Sequence, residues 1–303
     1  MKYITFKNVN GEQRAGWLDG EYVVDMFEAS EGRLPKDLLD FIEQQEEHHS
    51  YINQLNALPN QKGKHLLSDV HLLAPLPRPK SVRDFYAFEE HVRTARARRG
   101  LEVVPEWYEI PVFYFTNHLA IKGPNDLITK PVECEWLDYE LEIACIIGKE
   151  GKDIKAEEAD SYIFGYCVMN DWSARDLQAK EMKVGLGPAK GKDFATTIGP
   201  SIVTKDELDP YLNNGKYDLS MKARVNGKLL SQGNFQDIYY TFGQMIERAS
   251  TGVTLYPGEV IGSGTVGTGC ILELGTEVHR WLEPGDKVEL EITGLGKIVN
   301  TIK

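Results

Sequence analysis

Residues 137–147, Leu-Asp-Tyr-Glu-Leu-Glu-Ile-Ala-Cys-Ile-Ile, constrain the fold of this chain more than any other stretch. The apolar second half has the length of a strand and is far short of the ~18 apolar residues of a membrane helix. Side chains alternate faces along a strand, so Glu140 and Glu142 point one way while Leu141 and Ile143 point the other. Two strand steps place the carboxylates ~7 Å apart, at the mouth of a strand that continues into a core. Like charges there repel and lose hydration, so either one takes a proton or a cation sits between them. The plain alternative is a strand end left in solvent.

A second apolar run, residues 162–169, ends in Asn170-Asp171, where a third carboxylate can join the first two. Three oxygen ligands with no neighbouring His or Cys point to a hard ion, Mg²⁺ or Mn²⁺ with Ca²⁺ also compatible, rather than zinc. By itself Asp171 reads instead as the cap of a helix over 172–179. Cys134, Cys145, Cys167 and Cys270 form no CxxC pair; Cys145 and Cys167 sit in apolar runs, as core thiols of a reducing cytoplasm do.

The 303 residues carry a formal net charge of −12, which argues against nucleic acid or an anionic membrane as the partner. It leaves room for a small anionic substrate, since a bound cation can reverse the field inside one pocket. Residues 1–10 lack the apolar core of a signal peptide, and a cytoplasmic protein is expected.

Residues 1–75 are expected to form a small N-terminal domain, with a turn at Asn10-Gly11 and a helix over 37–58. A proline-rich connector over 73–80 leads into a larger β-rich unit, residues 76–303. Its expected strands are 141–147, 162–169, 217–225, 271–274 and 287–292, without the regular strand–helix alternation of a doubly wound sheet. Gly262-Ser-Gly-Thr-Val-Gly267 satisfies GxGxxG, but the β-type run at 271–274 stands where a dinucleotide fold needs a helix. Gly187 to Lys192 fails as a phosphate loop, with Leu186 at the first glycine position and Asp193 after the lysine.

His91 lies in a dense polar–aromatic motif, SVRDFYAFEEH, where a lone histidine would ordinarily be structural. Taken with RDFYAFEEH at 83–91, LDYELE at 137–142, MNDWSARDLQ at 169–178, GKDF at 191–194, GSGTVG at 262–267 and the closing EPGDKVELEITGLGKIVNTI, however, the chain resembles the fumarylacetoacetate hydrolase family, in its short bacterial-type form. The match runs over nearly all of residues 80–303.

That resemblance implies an α+β, β-rich fold, a mixed β-sandwich roll, and a homodimer with active sites near the subunit contact. It implies metal carboxylates at Glu140, Glu142 and Asp171, and a further one at Asp84 that many short bacterial members lack. It gives His91 the activation of water, Glu273 its orientation, and Lys192 a catalytic place beside the substrate oxygens. Arg175, Gln178 and Thr265 would grip the oxo and carboxylate groups, with Tyr86 and Tyr114 in the pocket wall. Met182 stands where the fumarylacetoacetases proper have a substrate-contacting tyrosine, and Asn117 replaces a lysine common in short bacterial members.

The implied reaction is metal-dependent C–C hydrolysis of a small acylpyruvate or 1,3-diketo acid. The alternatives are 2-oxo acid decarboxylation or hydroxymuconate-type isomerisation on the same enolate site, and more remotely a non-catalytic metabolite-binding protein. Residues 93–109, with Arg93, Arg96, Arg98 and Arg99 and few apolar anchors, are expected to form a lid over an anionic substrate.

Overall fold

The computed structural model describes residues 1–58 and 62–303. The chain starts with an antiparallel meander of β1 (Lys2–Lys7), β2 (Gln13–Asp19), β3 (Tyr22–Asp25) and, after a helical turn at Met26–Ala29 and two further helices, β4 (Lys64–Leu66). The helix expected over 37–58 is two helices, α1 (Leu38–Glu43) and α2 (Gln45–Asn56), broken at Gln44. Asp37 caps the first by accepting from the N–H groups of Leu39 and Asp40.

Beyond the proline connector come β5 (Val82–Phe85), α3 (Glu89–Ala97), β6 (Phe113–Phe115), β7 (Leu141–Ile147), β8 (Ile163–Asp171), α4 (Arg175–Val184) and β9 (Thr196–Val203). Then follow β10 (Ser220–Val225), β11 (Lys228–Asn234), α5 (Phe242–Ser250), β12 (Val260–Gly262), β13 (Lys287–Ile292) and β14 (Gly296–Ile302).

The principal sheet has twelve strands, in the order β4-β3-β2-β1-β9-β8-β7-β12-β5-β6 with two short strands beside this path. Because β1 pairs with β9, Lys2 opposite Val203 and Tyr3 opposite Ile202, the sheet runs across the connector at 73–80. The second sheet, β11-β10-β13-β14 with Leu127–Ile128 at its edge, packs against the middle of the first.

β7 and β8 are buried along their whole length because both faces of the sheet are covered. Ile143, Cys145 and Val168 face a core shared with Ala223 and Leu290 of the second sheet. Ala144, Ile146 and Cys167 face a core shared with Tyr3, Trp17 and Phe41 of the N-terminal meander. This is why the two runs read as nearly continuous apolar sequence. No helix among the described residues is long and apolar enough to cross a membrane.

Three expectations about elements are corrected. Ile271–Leu274 is a single helical turn, not a strand: buried Asp138 accepts from the N–H groups of Ile271 and Leu272, satisfying donors that a strand partner would otherwise take. Asp171 is the last residue of β8 rather than a helix cap, and α4 starts only at Arg175, after Ser173–Ala174 pair with Leu137–Asp138. The strand expected over 217–225 is regular only from Ser220.

Candidate active site

Four neighbouring strands, β8, β7, β12 and β5, converge on one point. Glu142 lies near the start of β7, with Glu140 just before it, and Asp171 ends the neighbouring β8. On the other side of β7, β12 pairs in parallel with β5, which sets Gly262 opposite Asp84. A Cβ on Gly262 would lie 2.6 Å from Asp84 Oδ1, and Gly264 N donates to that same oxygen at 3.2 Å. The glycines of GSGTVG therefore let backbone close around a carboxylate.

One carboxylate oxygen from each of Asp84, Glu140, Glu142 and Asp171 lies within 4.8 Å of the other three, and all four residues are buried. Lys192 Nζ donates to Glu140 Oε2 at 2.5 Å and to Asp171 Oδ2 at 2.6 Å. Arg175 Nη2 lies 2.8 Å from Glu140 Oε1, and the Tyr114 hydroxyl donates to Asp171 Oδ2.

Burial, then the Asp171 charge, holds Asp84 well above the usual carboxylate range; burial, then Asp84, does the same to Glu142. Burial also favours the neutral form of Glu140, but Lys192 and Arg175 outweigh it and keep that group lowered. The Lys192 ammonium is raised, because Asp171 and Glu140 outweigh its own desolvation.

When all are ionised, the four carboxylates face Lys192 and an Arg175 that also pairs with Asp138, so negative charge exceeds positive charge by at least two. Glu142 Oε2 and Asp171 Oδ1 are buried and have no hydrogen-bond partner among the described residues. A divalent cation fits both the excess charge and the two unpartnered oxygens, and an all-oxygen donor set suits Mg²⁺, Mn²⁺ or Ca²⁺.

The second part of the site stands on helical turns. His91, in the first turn of α3, brings Nδ1 to 2.8 Å from Glu273 Oε2, at ion-pair distance. Glu273 is fixed in turn by Thr268 N, which donates to Oε1 at 3.1 Å, and by the Cys270 thiol, 3.4 Å from Oε2. Thr268 sits at φ 65°, costly for a β-branched residue, and in that conformation its N–H meets the glutamate. The Tyr86 ring packs edge-on to the imidazole, 5.3 Å between centroids.

Both parts meet in a cavity of about 430 Å³, lined by Asp84, Tyr86, His91, Tyr114, Glu140, Glu142, Arg175, Gln178, Lys192 and Thr265. Asp171 and Glu273 are outside this lining and reach it through their contacts with Lys192 and His91.

A model of the fumarylacetoacetate hydrolase C-terminal region matches residues 80–303. This chain belongs to the fumarylacetoacetate hydrolase family. A mitochondrial oxaloacetate tautomerase of Bos taurus is 35% identical over 292 residues, covering 94% of this chain and 85% of the relative. The solved fumarylacetoacetate hydrolase of psychrophilic Exiguobacterium antarcticum superposes with TM-score 0.76 at 28% identity, covering 100% of this chain and 99% of that one. A 5-carboxymethyl-2-hydroxymuconate delta-isomerase from Mycobacterium smegmatis gives TM-score 0.71 at 26% identity, with coverages of 100% and 99%.

In this family member the fold brings every expected site residue to one locality, with some differences in what each contacts. Arg175, expected to grip substrate, has its nitrogens on protein acceptors: Nε on Asp138 at 2.9 Å, Nη1 on Gln178 at 3.1 Å, and Nη2 near Glu140. Of the four arginines in 93–109, Arg96 and Arg99 line the cavity mouth with Met182 and Leu186. Arg98 turns away onto the carbonyls of Glu273 and Leu274, and Arg93 toward Glu89.

The expected scarcity of apolar anchors in that segment is overturned by Trp107. It is buried, donates from Nε1 to Tyr86 O at 2.8 Å, and accepts at its own carbonyl from Tyr240 OH at 2.7 Å. Sequence reasoning passed over Asp138, although it alternates in phase with Glu140 and Glu142, and over Cys270, which carries no local signal.

Proposed function

We propose that this chain is a divalent-cation-dependent enzyme that moves a proton on a small 2-oxo dicarboxylic acid, interconverting the keto and enol forms of an oxaloacetate-type substrate. The observation that carries the reading is the His91–Glu273 pair on the wall of a cavity floored by the carboxylate cluster. The oxaloacetate tautomerase named above, alike over 94% of this chain, supports the choice of reaction.

Asp84, Glu140, Glu142 and Asp171 would hold the divalent cation, which would supply Lewis-acid polarisation of the bound substrate. His91 Nε2, the nitrogen away from Glu273, takes the proton from the carbon next to the oxo group, and Glu273 steadies the resulting imidazolium at Nδ1. Lys192 has three N–H donors and spends two on Glu140 and Asp171, leaving one for the oxygen on which charge develops. Arg96 and Arg99 at the mouth match the far carboxylate. The enolate oxygen takes a proton from solvent and the imidazolium releases its own to solvent, which completes the enol; in the reverse direction the enol oxygen loses its proton and the imidazolium protonates carbon.

C–C hydrolysis of an acylpyruvate is the second reading, with His91 activating water instead. Its support is a cavity of about 430 Å³, roomier than a four-carbon acid requires. A homodimer belongs to either reading; at the sheet edge beside the site, β6 leaves Phe115 60% exposed.

The deciding measurement follows enol absorbance of oxaloacetate with Mg²⁺ and Mn²⁺, beside product analysis on acylpyruvates and fumarylacetoacetate. Accelerated keto–enol exchange without CO₂ release is expected. Cleavage of an acylpyruvate with no effect on oxaloacetate would replace the first reading with the second, and inertness toward all of them would end both.

A further inference from the structure

Asp138 is wholly buried and belongs to neither the carboxylate cluster nor the cavity lining. Its Oδ1 accepts from Ile271 N at 2.8 Å, and its Oδ2 accepts from Leu272 N at 3.0 Å and from Arg175 Nε at 2.9 Å. Ile271 and Leu272 begin the turn that carries Glu273. Arg175 continues through Nη2 to Glu140 Oε1, 2.8 Å away. One carboxylate is therefore joined on one side to the residue that orients His91, and on the other to a member of the cation cluster.

We propose that Asp138 is a positioning residue that holds the proton-transfer pair and the cation cluster in register. The inference rests on the reading of the site given above. Hydrogen bonds to an ionised acceptor are shorter and stronger than neutral ones, and in a site closed to water they have no competing solvent partner. A displacement of the Glu273 turn relative to Glu140 must therefore break at least one charge-assisted bond. Residues one step behind metal ligands and catalytic groups commonly carry ten- to hundredfold effects by this route.

The test is Asp138→Asn, which keeps the side-chain shape and the oxygen facing one N–H. It replaces the oxygen that accepts from Leu272 and Arg175 with an amide that cannot accept. With the fold verified by circular dichroism, Mn²⁺ binding, followed by the paramagnetic resonance of the free ion, should weaken about tenfold or more. The kcat should fall by about the same factor while KM moves far less. Combined with Glu273→Gln, the kcat loss should be smaller than the product of the single losses, since both changes act through His91.

Wild-type Mn²⁺ affinity in folded Asp138→Asn, or a kcat loss that multiplies independently with Glu273→Gln, overturns the proposal alone. Absence of Mn²⁺ binding in the wild-type protein overturns the reading of the site and this proposal with it. If Asp138→Asn does not fold, Arg175→Lys keeps the positive charge beside Glu140 but lacks the guanidinium fork that reaches Asp138 and Glu140 together. This variant leaves the Ile271 and Leu272 bonds to Asp138 in place. It should weaken Mn²⁺ binding while amide exchange at Ile271 and Leu272 stays slow, and unchanged Mn²⁺ affinity there refutes the coupling.

Discussion

The floor and the wall of this site are built from opposite materials. The floor draws Glu142, Asp171 and Asp84 from three strands in the buried interior of a twelve-stranded sheet. The wall draws His91 from the first turn of α3 and Glu273 from a helical turn of four residues. Charge is distributed just as differently. The floor holds more carboxylates than its cations balance and has unpartnered oxygens, whereas the wall pairs one imidazole with one carboxylate. A rigid sheet can hold like charges together that would otherwise separate, which produces a cation site. The pair that passes a proton is close to charge-balanced, and its short helical support is tied back to the floor through Asp138 and Arg175.

The largest effect expected from this contrast is at the floor. Glu140→Ala should abolish Mn²⁺ binding and turnover together, as should exhaustive chelation of the wild-type protein. Full activity after verified metal removal would erase the distinction between the two regions. His91→Ala attacks the wall and should lower kcat by ~10²–10⁴, the usual worth of a general base, with Mn²⁺ affinity nearly unchanged. Glu273→Gln should act in the same direction and more weakly, because it reaches the substrate only through His91. Loss of Mn²⁺ affinity in His91→Ala would place the histidine in the floor.

The smallest effect sharpens the electrostatic half of the comparison. Asp84 and Glu142 have raised folded values against ordinary ones of 3.8 and 4.5, so folding binds protons at these sites. Their contribution to stability is complete below the ordinary values and is lost as pH rises through the folded ones. Glu140 has the opposite sign, its contribution being lost only as pH falls below 4.5. Metal-free protein should therefore melt lower as pH is raised from about 5 toward neutrality, and saturating Mg²⁺ should flatten that slope. A metal-free melting temperature that climbs over this interval would contradict the charge assignment of the floor.

The sequence by itself determined what depends on neighbours along the chain. Strand alternation put Glu140 and Glu142 on one face, an apolar run delivered Asp171 to a strand end, and the absence of nearby His or Cys selected a hard ion. His91, Glu273 and Lys192 were named through family resemblance, since a single histidine or lysine has no local pattern that marks its role.

Tertiary structure decided the rest. Pairing of β12 with β5 joins residues about 180 positions apart, so Asp84 reaches the cluster through a register that no short window of sequence contains. Trp107 ties down a segment whose own composition reads as loose, because its partners Tyr86 and Tyr240 are distant in the chain. Ile271–Leu274 has strand-like residues and yet forms a helical turn, because the carboxylate of Asp138, 133 residues away, takes its first N–H. Local propensity over four residues is worth little against charge-assisted hydrogen bonds made in a buried site, and the position of that carboxylate exists only once the sheet has formed.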